Sequence, residues 1–346
     1  MKKNSKKVKV AVVGATGYAG AELIHVLLNH PHVEVTSLTA KLDEESKICD
    51  IFGKFLGKCD LMCKNLDVNE VSKAADIVFL ALPHGVSMHY VNDFLKKGIK
   101  VIDLSADYRL KSKELYNKWY NRKHTDEANI EKSVYGLPEM YRDEIKGAEL
   151  VANPGCYPTV SILTTLPVVA KNDIGLSDVI IDAKSGITGA GRKAVLSLHY
   201  PEVNESIKAY KINEHQHIPE INQELTNADG NNFEVSFTPH IVPMNRGILA
   251  TCYIKYREKL DSHEVHRLYE DYYKDEPFVK VLKQGKLPEV KDVTDTNFCH
   301  IGVKVSEDKG LVIAVGVIDN LLKGASGQAV QNMNIMCGFD EKEGLV

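Results

Sequence analysis

The apolar positions in the first part of the chain fall in short continuous runs. Lys9–Val13 (KVAVV), Val33–Leu38 (VEVTSL), Asp76–Leu82 (DIVFLAL) and Lys100–Leu104 (KVIDL) have this texture, which suits parallel strands buried on both faces. Ala21–Asn29 (AELIHVLLN) is helical instead, with Leu23, Val26 and Leu27 on one face, and His30-Pro31 ends it. A second helical stretch spans Val86–Lys97. Strands alternating with helices predict an α/β domain of Rossmann type.

Beyond Cys156 the pattern changes. A helix is expected over Thr159–Ala170, then a strand over Val179–Ala183 and a glycine-rich loop. Long strand candidates follow at Phe233–Thr238, Gly247–Tyr256, Cys299–Val305 and Leu311–Ile318, interrupted by a helix over Asp261–Lys274. Consecutive strands with few helices between them predict an α+β domain with a mixed or antiparallel sheet. A last helix, Gly327–Met336, is expected to return to the first domain. The expected division is 1–155 with 320–346 as a dinucleotide-binding domain, and 156–319 as a catalytic and oligomerisation domain.

Composition narrows the class. A chain of 346 residues accommodates two domains, and 44% hydrophobic with 26% charged residues is ordinary for a folded protein. The net charge of −4 gives no basic field for nucleic acid, and no apolar run reaches a membrane span. The lysine-rich start, Met1–Lys9, reads as a solubilising tail before the first strand, because the apolar stretch that follows stops at Gly14; a cytoplasmic protein is expected. The 7 cysteines are scattered and odd in number, unlike a disulfide framework. Cys59 with Cys63 lacks a second Cys/His pair at matching spacing, and His263 with His266, three apart on an expected helix, lacks the Glu arrangement of a zinc protease, so no metal site is expected.

Two segments carry chemistry. Gly14-Ala15-Thr16-Gly17-Tyr18-Ala19-Gly20 follows the first strand and opens a helix, a GxxGxxG variant of the dinucleotide fingerprint. Gly14 permits the tight turn, Gly17 admits a pyrophosphate and Gly20 lets helix pack on strand, with helix amides on the phosphates. The second strand ends Leu38-Thr39-Ala40-Lys41, with no acidic residue placed for a ribose 2′-OH. Thr39 and Lys41 suit a 2′-phosphate, so NADP(H) is the expected cofactor, although Lys41 also reads as a solvated loop lysine. The second segment is Asn153-Pro154-Gly155-Cys156-Tyr157-Pro158-Thr159, a turn into a helix. A thiol at a helix N-terminus is biased towards thiolate, which attacks acyl carbon.

A proton partner for Cys156 is available in Glu214-His215-Gln216-His217-Ile218-Pro219-Glu220, where spacing alone does not choose between His215 and His217. His84 and His240, beside prolines at strand ends, read as structural or at most cofactor-adjacent. Ser185-Gly186-Ile187-Thr188-Gly189-Ala190-Gly191-Arg192-Lys193 offers amides, hydroxyls and charge for an anion without being a P-loop. Arg109, after a parallel strand, is a second anion candidate.

GATGYAG (14–20), ALPHGVS (81–87), DLSADYRL (103–110), YGLPE (135–139), NPGCYPT (153–159), SGITGAGRK (185–193), HQHIPE (215–220), TPHIVPMNRGI (238–248) and DNLLKGASGQAVQNMN (319–334) together resemble one family over nearly the whole chain. It is the N-acetyl-gamma-glutamyl-phosphate reductases, related to aspartate-semialdehyde dehydrogenases. One departure is Ala40-Lys41, where the family often has Ser-Arg. The resemblance implies an NADP-dependent acyl-phosphate reductase of arginine biosynthesis. It would convert N-acetyl-gamma-glutamyl phosphate to the semialdehyde and inorganic phosphate through a thioester on Cys156, with His217 as the proton carrier. It also implies cofactor contacts at Pro83 and Asn320, substrate contacts at Asn153, Ser185, Gly186, Arg192, Arg109 and His215, and a homo-oligomer, dimer or tetramer. Lys323 lies in the same C-terminal motif. Rival readings are the same chemistry on aspartyl phosphate or a carrier-bound aminoadipyl phosphate, a non-catalytic NADP-binding sensor, and a cysteine hydrolase. Tyr157-Pro158-Thr159 argues against aspartyl phosphate, Cys156 with its histidines against the sensor, and the glycine turn against the hydrolase.

Overall fold

The computed structural model describes residues 7–171, 175–232, 234–258 and 260–346. Most of the expected tail, and Phe233 of one expected strand, lie outside them. The chain forms two compact units. One runs to Pro154 and takes back Ala325–Val346; the other is Gly155–Gly324.

The first unit opens with β1 (Val8–Val13), α1 (Tyr18–Leu28) and β2 (Val33–Thr39). A small excursion follows: β3 (Ser46–Lys47), α2 (Ile48–Ile51) and β4 (Met62–Lys64). Next come α3 (Val68–Ala74), β5 (Ile77–Leu80), α4 (Val91–Lys96) and β6 (Lys100–Asp103). The polar helices α5 (Lys113–Tyr120) and α6 (Glu127–Lys132) precede β7 (Val134–Tyr135), α7 (Pro138–Gly147) and β8 (Leu150–Ala152). The sheet order is β3-β4-β2-β1-β5-β6-β8-β7, parallel except where β3 meets β4. The order turns back at β1, between β2 and β5. In such sheets ligands bind at the carboxyl ends of the strands flanking this point. One core joins Ala11, Val13, Val78, Leu80, Phe94 and Val101. The helix expected over Val86–Lys97 is divided: Ser87–His89 is a 3-10 turn and α4 begins only at Val91. Asp107 takes the amides of Gly85 and Met88, so the first part of the stretch is shared between a side chain and the shorter i to i+3 bonds of the 3-10 turn.

The second unit starts with α8 (Cys156–Val169) and β9 (Asp178–Ser185). It continues with α9 (Tyr200–Val203), β10 (Lys208–Ala209), α10 (Ile218–Asp229), β11 (Val235–Ile241) and β12 (Ile248–Lys255). It ends with α11 (Ser262–Tyr273), β13 (Val279–Val281), β14 (Cys299–Ser306) and β15 (Leu311–Ile318). The seven-stranded sheet has the order β10-β11-β9-β12-β15-β14-β13. It is mixed: β9 with β11 and β13 with β14 are parallel, and the other pairs are antiparallel. The helix α8 is buried all round from Tyr157 to Val169, as a central helix apolar on every side must be. It lies so close to β15 that a Cβ on Gly316 would come within 1.9 Å of Thr164 Oγ1. Tyr269 and Tyr273 of α11 donate their hydroxyls to the carbonyls of Thr164 and Leu163, at 2.8 and 2.6 Å. A π-helical turn, Leu322–Ser326, leads into α12 (Gly327–Cys337). That helix lies in the first unit, where the Ser326 hydroxyl donates to the Ala19 carbonyl at 2.9 Å.

Candidate active site

In the first unit the glycine turn caps the carboxyl end of β1. Gly14 has φ 91°, a conformation that L side chains avoid. The amides of Gly14 and Ala15 both donate to the Thr39 carbonyl, at 2.8 and 2.9 Å, tying the turn to β2. A Cβ on Gly20 would lie 2.2 Å from the Gly14 carbonyl oxygen, so α1 seats directly on the turn. A Cβ on Gly17, by contrast, would meet only that oxygen, at 3.6 Å; the space above the helix start is open. Gly17 is the N-cap, and the first-turn amides of Tyr18, Ala19 and Gly20 have no acceptor one turn earlier in the helix. That is room and polarity for a pyrophosphate. The hydroxyl of Thr39 is buried and takes no partner from the described residues, and Lys41 is exposed just beyond it. A dinucleotide with its ribose at the end of β2 fits both. Pro83 is exposed in the loop after β5.

The second unit holds the candidate nucleophile, Cys156. The structure moves the start of α8 back from Thr159 to Cys156, with Gly155 as N-cap. Pro158 therefore sits in the first turn, where a missing N–H costs nothing, and the thiol belongs to the first helical residue. Burial pushes the thiol of Cys63 up to about 11 and those of Cys49, Cys252 and Cys337 upward as well. Those four stay neutral and inert, while Cys156 is half-buried at a helix start.

The histidines sit at another helix start. His217 is the N-cap of α10, and Pro219 is in its first turn. The two helix starts are tied together: Glu220, fully buried, accepts the Gly155 amide at 2.8 Å. His215 Nδ1 accepts the His217 amide at 3.1 Å, so the proton of a neutral His215 is on Nε2. The Tyr157 ring lies edge-on to both, 5.5 Å from His215 and 6.0 Å from His217 between centroids. The Tyr210 hydroxyl donates to Tyr157 Oη at 3.3 Å, and Tyr157 donates to the His240 carbonyl at 3.1 Å. Burial, with the nearby Cys156 adding to it, raises both phenols, Tyr210 to about 12. Neither exchanges a proton near neutral pH. Glu220 and Tyr210 are parts of the site to which sequence reasoning gives no role. Glu220 lies within HQHIPE, but its tie to Gly155 is tertiary and leaves no periodic signal.

The loop after β9 is built for rigidity on one side. Gly186, Ile187 and Thr188 donate their amides to the carbonyls of Gly247, Met244 and Asn245, and a Cβ on Gly186 would meet Asn245 oxygen at 2.8 Å. Ser185 is buried, with its hydroxyl on the Gly186 carbonyl at 3.1 Å, and Arg192 is exposed at the far end. The Asn320 side chain accepts the Gly247 amide at 2.7 Å and donates to Thr188 Oγ1 at 3.0 Å, which places it behind this loop in the second unit. Gly324 lies beside Cys156: a Cβ there would be 2.8 Å from Cys156 Cβ. Lys323 is fully buried, 5.8 Å from the Phe278 ring centre.

Arg109 and Asn153 belong to the first unit. Arg109, nearly buried, donates Nε to the Asn153 carbonyl at 2.7 Å and a terminal nitrogen to the Leu104 carbonyl at 2.8 Å. Asn153 donates to the Ala325 carbonyl at 3.0 Å and accepts from the Asn332 amide at 3.1 Å. His84 is held by backbone, through the Ala106 amide at 3.0 Å, while His240 Nδ1 lies 3.1 Å from an Asp182 carboxylate oxygen and 3.3 Å from the Ala183 carbonyl. Among the described residues no group of three or more His, Cys, Asp or Glu is placed to hold a metal ion, and no helix is long and apolar enough to cross a membrane.

Residues 9–148 match the family described as semialdehyde dehydrogenase, NAD binding domain, and residues 156–320 match semialdehyde dehydrogenase, dimerisation domain. An N-acetyl-gamma-glutamyl-phosphate reductase from Pelotomaculum thermopropionicum is 47% identical, over 98% of this chain and 97% of its own. One from Clostridium beijerinckii is 46% identical over 98% of both chains. Among solved structures, aspartate semialdehyde dehydrogenase II from Vibrio cholerae, complexed with ASA, superposes with TM-score 0.72 at 16% identity, covering 96% of this chain and 99% of that one. The enzyme from Candida albicans, with NADP, gives 0.69 at 15% identity, with the same coverage. At that identity the structures speak for the fold alone.

Proposed function

The chain belongs to the N-acetyl-gamma-glutamyl-phosphate reductase family, and from that premise we propose that it reduces N-acetyl-gamma-glutamyl phosphate with NADPH to N-acetylglutamate semialdehyde and inorganic phosphate. The observation that carries the mechanism is the Glu220–Gly155 hydrogen bond. It holds the start of α8, with Cys156, against the start of α10, with His217.

In this reading His217 takes the Cys156 proton. The two helix N-termini favour the resulting thiolate. Sulfur attacks the acyl carbon, the C–O bond to phosphate breaks, and a thioester remains on Cys156. The departing phosphate is assigned to the loop from Ser185 to Arg192, whose backbone is held by 244–247 and whose Thr188 hydroxyl is held by Asn320. Gly186 is part of that loop. Arg109 is assigned to holding the Asn153 and Leu104 carbonyls. The dinucleotide, when bound, supplies the hydride. His217 then returns its proton as the thiohemiacetal opens to the free semialdehyde, and Cys156 is regenerated. His215, whose Nδ1 is committed to the His217 amide, holds His217 and faces the substrate with Nε2–H. Gly14 to Gly20, Thr39, Lys41 and Pro83 would hold the dinucleotide. Exposed Lys41 and the lack of an acidic side chain at the end of β2 favour the 2′-phosphate of NADP. The reaction belongs to arginine biosynthesis, carried out in the cytoplasm by a homo-oligomer.

The test is the reverse reaction. Semialdehyde, NADP and phosphate are mixed with the parent protein or with Cys156→Ser, and absorbance of the reduced nicotinamide is followed. Phosphate-dependent NADPH formation is expected from the parent and a loss of about a thousandfold or more from the variant, the scale seen when a catalytic nucleophile is removed. A silent parent protein that still binds NADP would overturn the assigned substrate.

A further inference from the structure

We propose that Asp107 is a positioning residue for dinucleotide binding: its buried carboxylate holds the loop from Pro83 to Met88 beside the glycine turn. The inference rests on the cofactor reading above.

The loop after β5 adjoins that turn directly. The Ala81 amide donates to the Val13 carbonyl at 2.8 Å, and a Cβ on Gly14 would strike the Ala81 carbonyl oxygen at 2.1 Å. The chain then forms a four-residue turn, closed by the Val86 amide on the Pro83 carbonyl at 3.2 Å, with Gly85 at φ 79°. A left-handed third residue is what such a turn needs. Pro83, which opens the turn, is exposed. One long backbone hydrogen bond is little to hold a turn that borders a ligand site.

The support comes from the segment after β6. Asp107 Oδ1 accepts the Gly85 amide at 2.6 Å, and Oδ2 accepts the Met88 amide at 3.1 Å. The neighbouring Ala106 amide donates to His84 Nδ1 at 3.0 Å. Asp107 is itself braced on the far side. The Tyr116 hydroxyl donates to Oδ1 at 2.8 Å, and His124 Nε2 donates to the Asp107 carbonyl at 2.6 Å. His124 Nδ1 accepts the Asp126 amide at 3.1 Å, which fixes the proton on Nε2. Asp107 is 1% exposed. A buried carboxylate is expensive to desolvate, and here its charge is spent on two amides of a loop. Such charge-assisted bonds are short and strong. Their effect is to set where the loop backbone stands at the carboxyl end of β5, next to the strand carrying the glycine turn, where sheets of this order bind their ligand.

The experiment is a fluorescence titration of NADPH, with thermal melting alongside, on the full chain. Asp107→Asn removes the charge and turns a donor towards one of the donors it faced. Its dissociation constant is expected to rise at least tenfold, in line with the loss of hydrogen bonds to a charged group. Tyr116→Phe removes one brace and leaves both loop amides held; it is expected to melt lower and to bind within twofold of the parent. Should Asp107→Asn fail to fold, Gly85→Ala keeps Asp107 and strains the same turn, and its dissociation constant is expected to rise severalfold. Binding by Asp107→Asn within twofold of the parent overturns the proposal. So does equal weakening by Tyr116→Phe, or unchanged binding by Gly85→Ala. A parent protein that does not bind NADPH would overturn the cofactor reading itself, a distinguishable result.

Discussion

At the scale of the residue, two carboxylates four positions apart at the end of β6 have different fates. Asp107 is surrounded by amide and hydroxyl donors. Asp103 is fully buried, and burial, with the Asp107 charge adding to it, pushes it up from 3.8 to about 7. The folded protein therefore keeps a proton, between those two values, that the unfolded chain gives up. The stability contributed by this group is complete below the unfolded value and is lost as pH rises through the folded one. Asp103→Asn carries no such proton. Its melting temperature, relative to the parent, is expected to move upward between pH 5 and pH 8. A difference that stays constant over that range would mean that Asp103 is ionised throughout.

At the scale of the element, the helix α8 shows both what sequence conveys and where it stops. Its apolar run is plain, and so is the change of texture after Cys156. Its start is misplaced by three residues, because Pro158 and Thr159 read as the opening and the turn before them as loop. In the structure the Thr159 amide donates to the Gly155 carbonyl at 2.9 Å, so the helix begins at Cys156, and the Gly155 amide is held from outside by Glu220. The glycine turn with α1 was legible because each glycine answers a local steric demand. The helices α5 and α6 were not, since α5 buries only Tyr116 and α6 only Asn129 and Ile130, too little to print a periodic face. The two-residue strands β3, β7 and β10 are likewise fixed by pairing alone. The packing of α8 on β15 yields a prediction of its own. Gly316→Ala drives a methyl into Thr164 Oγ1, whose position is set by its bond to the Val160 carbonyl. Overpacking of this kind costs about 1–3 kcal/mol, readable as a lower urea midpoint. Adding Thr164→Ala removes the closest atom, so the double variant is expected to recover part of the loss. Strict additivity of the two changes would show that helix and strand are not in register at this point.

At the scale of the whole molecule, the seven-stranded sheet leaves work for a second copy. Along β9 the buried residues are Val179, Ile181, Ala183 and Ser185, and along β12 they are Ile248, Ala250, Cys252 and Ile254. The alternate positions face the other way. Register puts Ile180 opposite Tyr253, and Tyr253 opposite Ile313, so these three form one apolar stripe across the central strands. None of the three is fully buried, and Ile180 is 41% exposed. A half-exposed apolar stripe on a sheet is costly in water and suits an isologous contact, in which the same patch meets itself. The match of residues 156–320 to a dimerisation domain agrees with that use. A charge at the centre of the stripe would be placed against its own copy in such a contact. Tyr253→Asp is therefore expected to shift the protein towards monomer in sedimentation velocity, with dissociation most pronounced at low salt, where like charges repel over the longest range. The side chain points away from α8, so the variant is expected to melt cooperatively and to bind NADPH as the parent does. An unchanged sedimentation coefficient at micromolar protein would place the oligomer contact on another face.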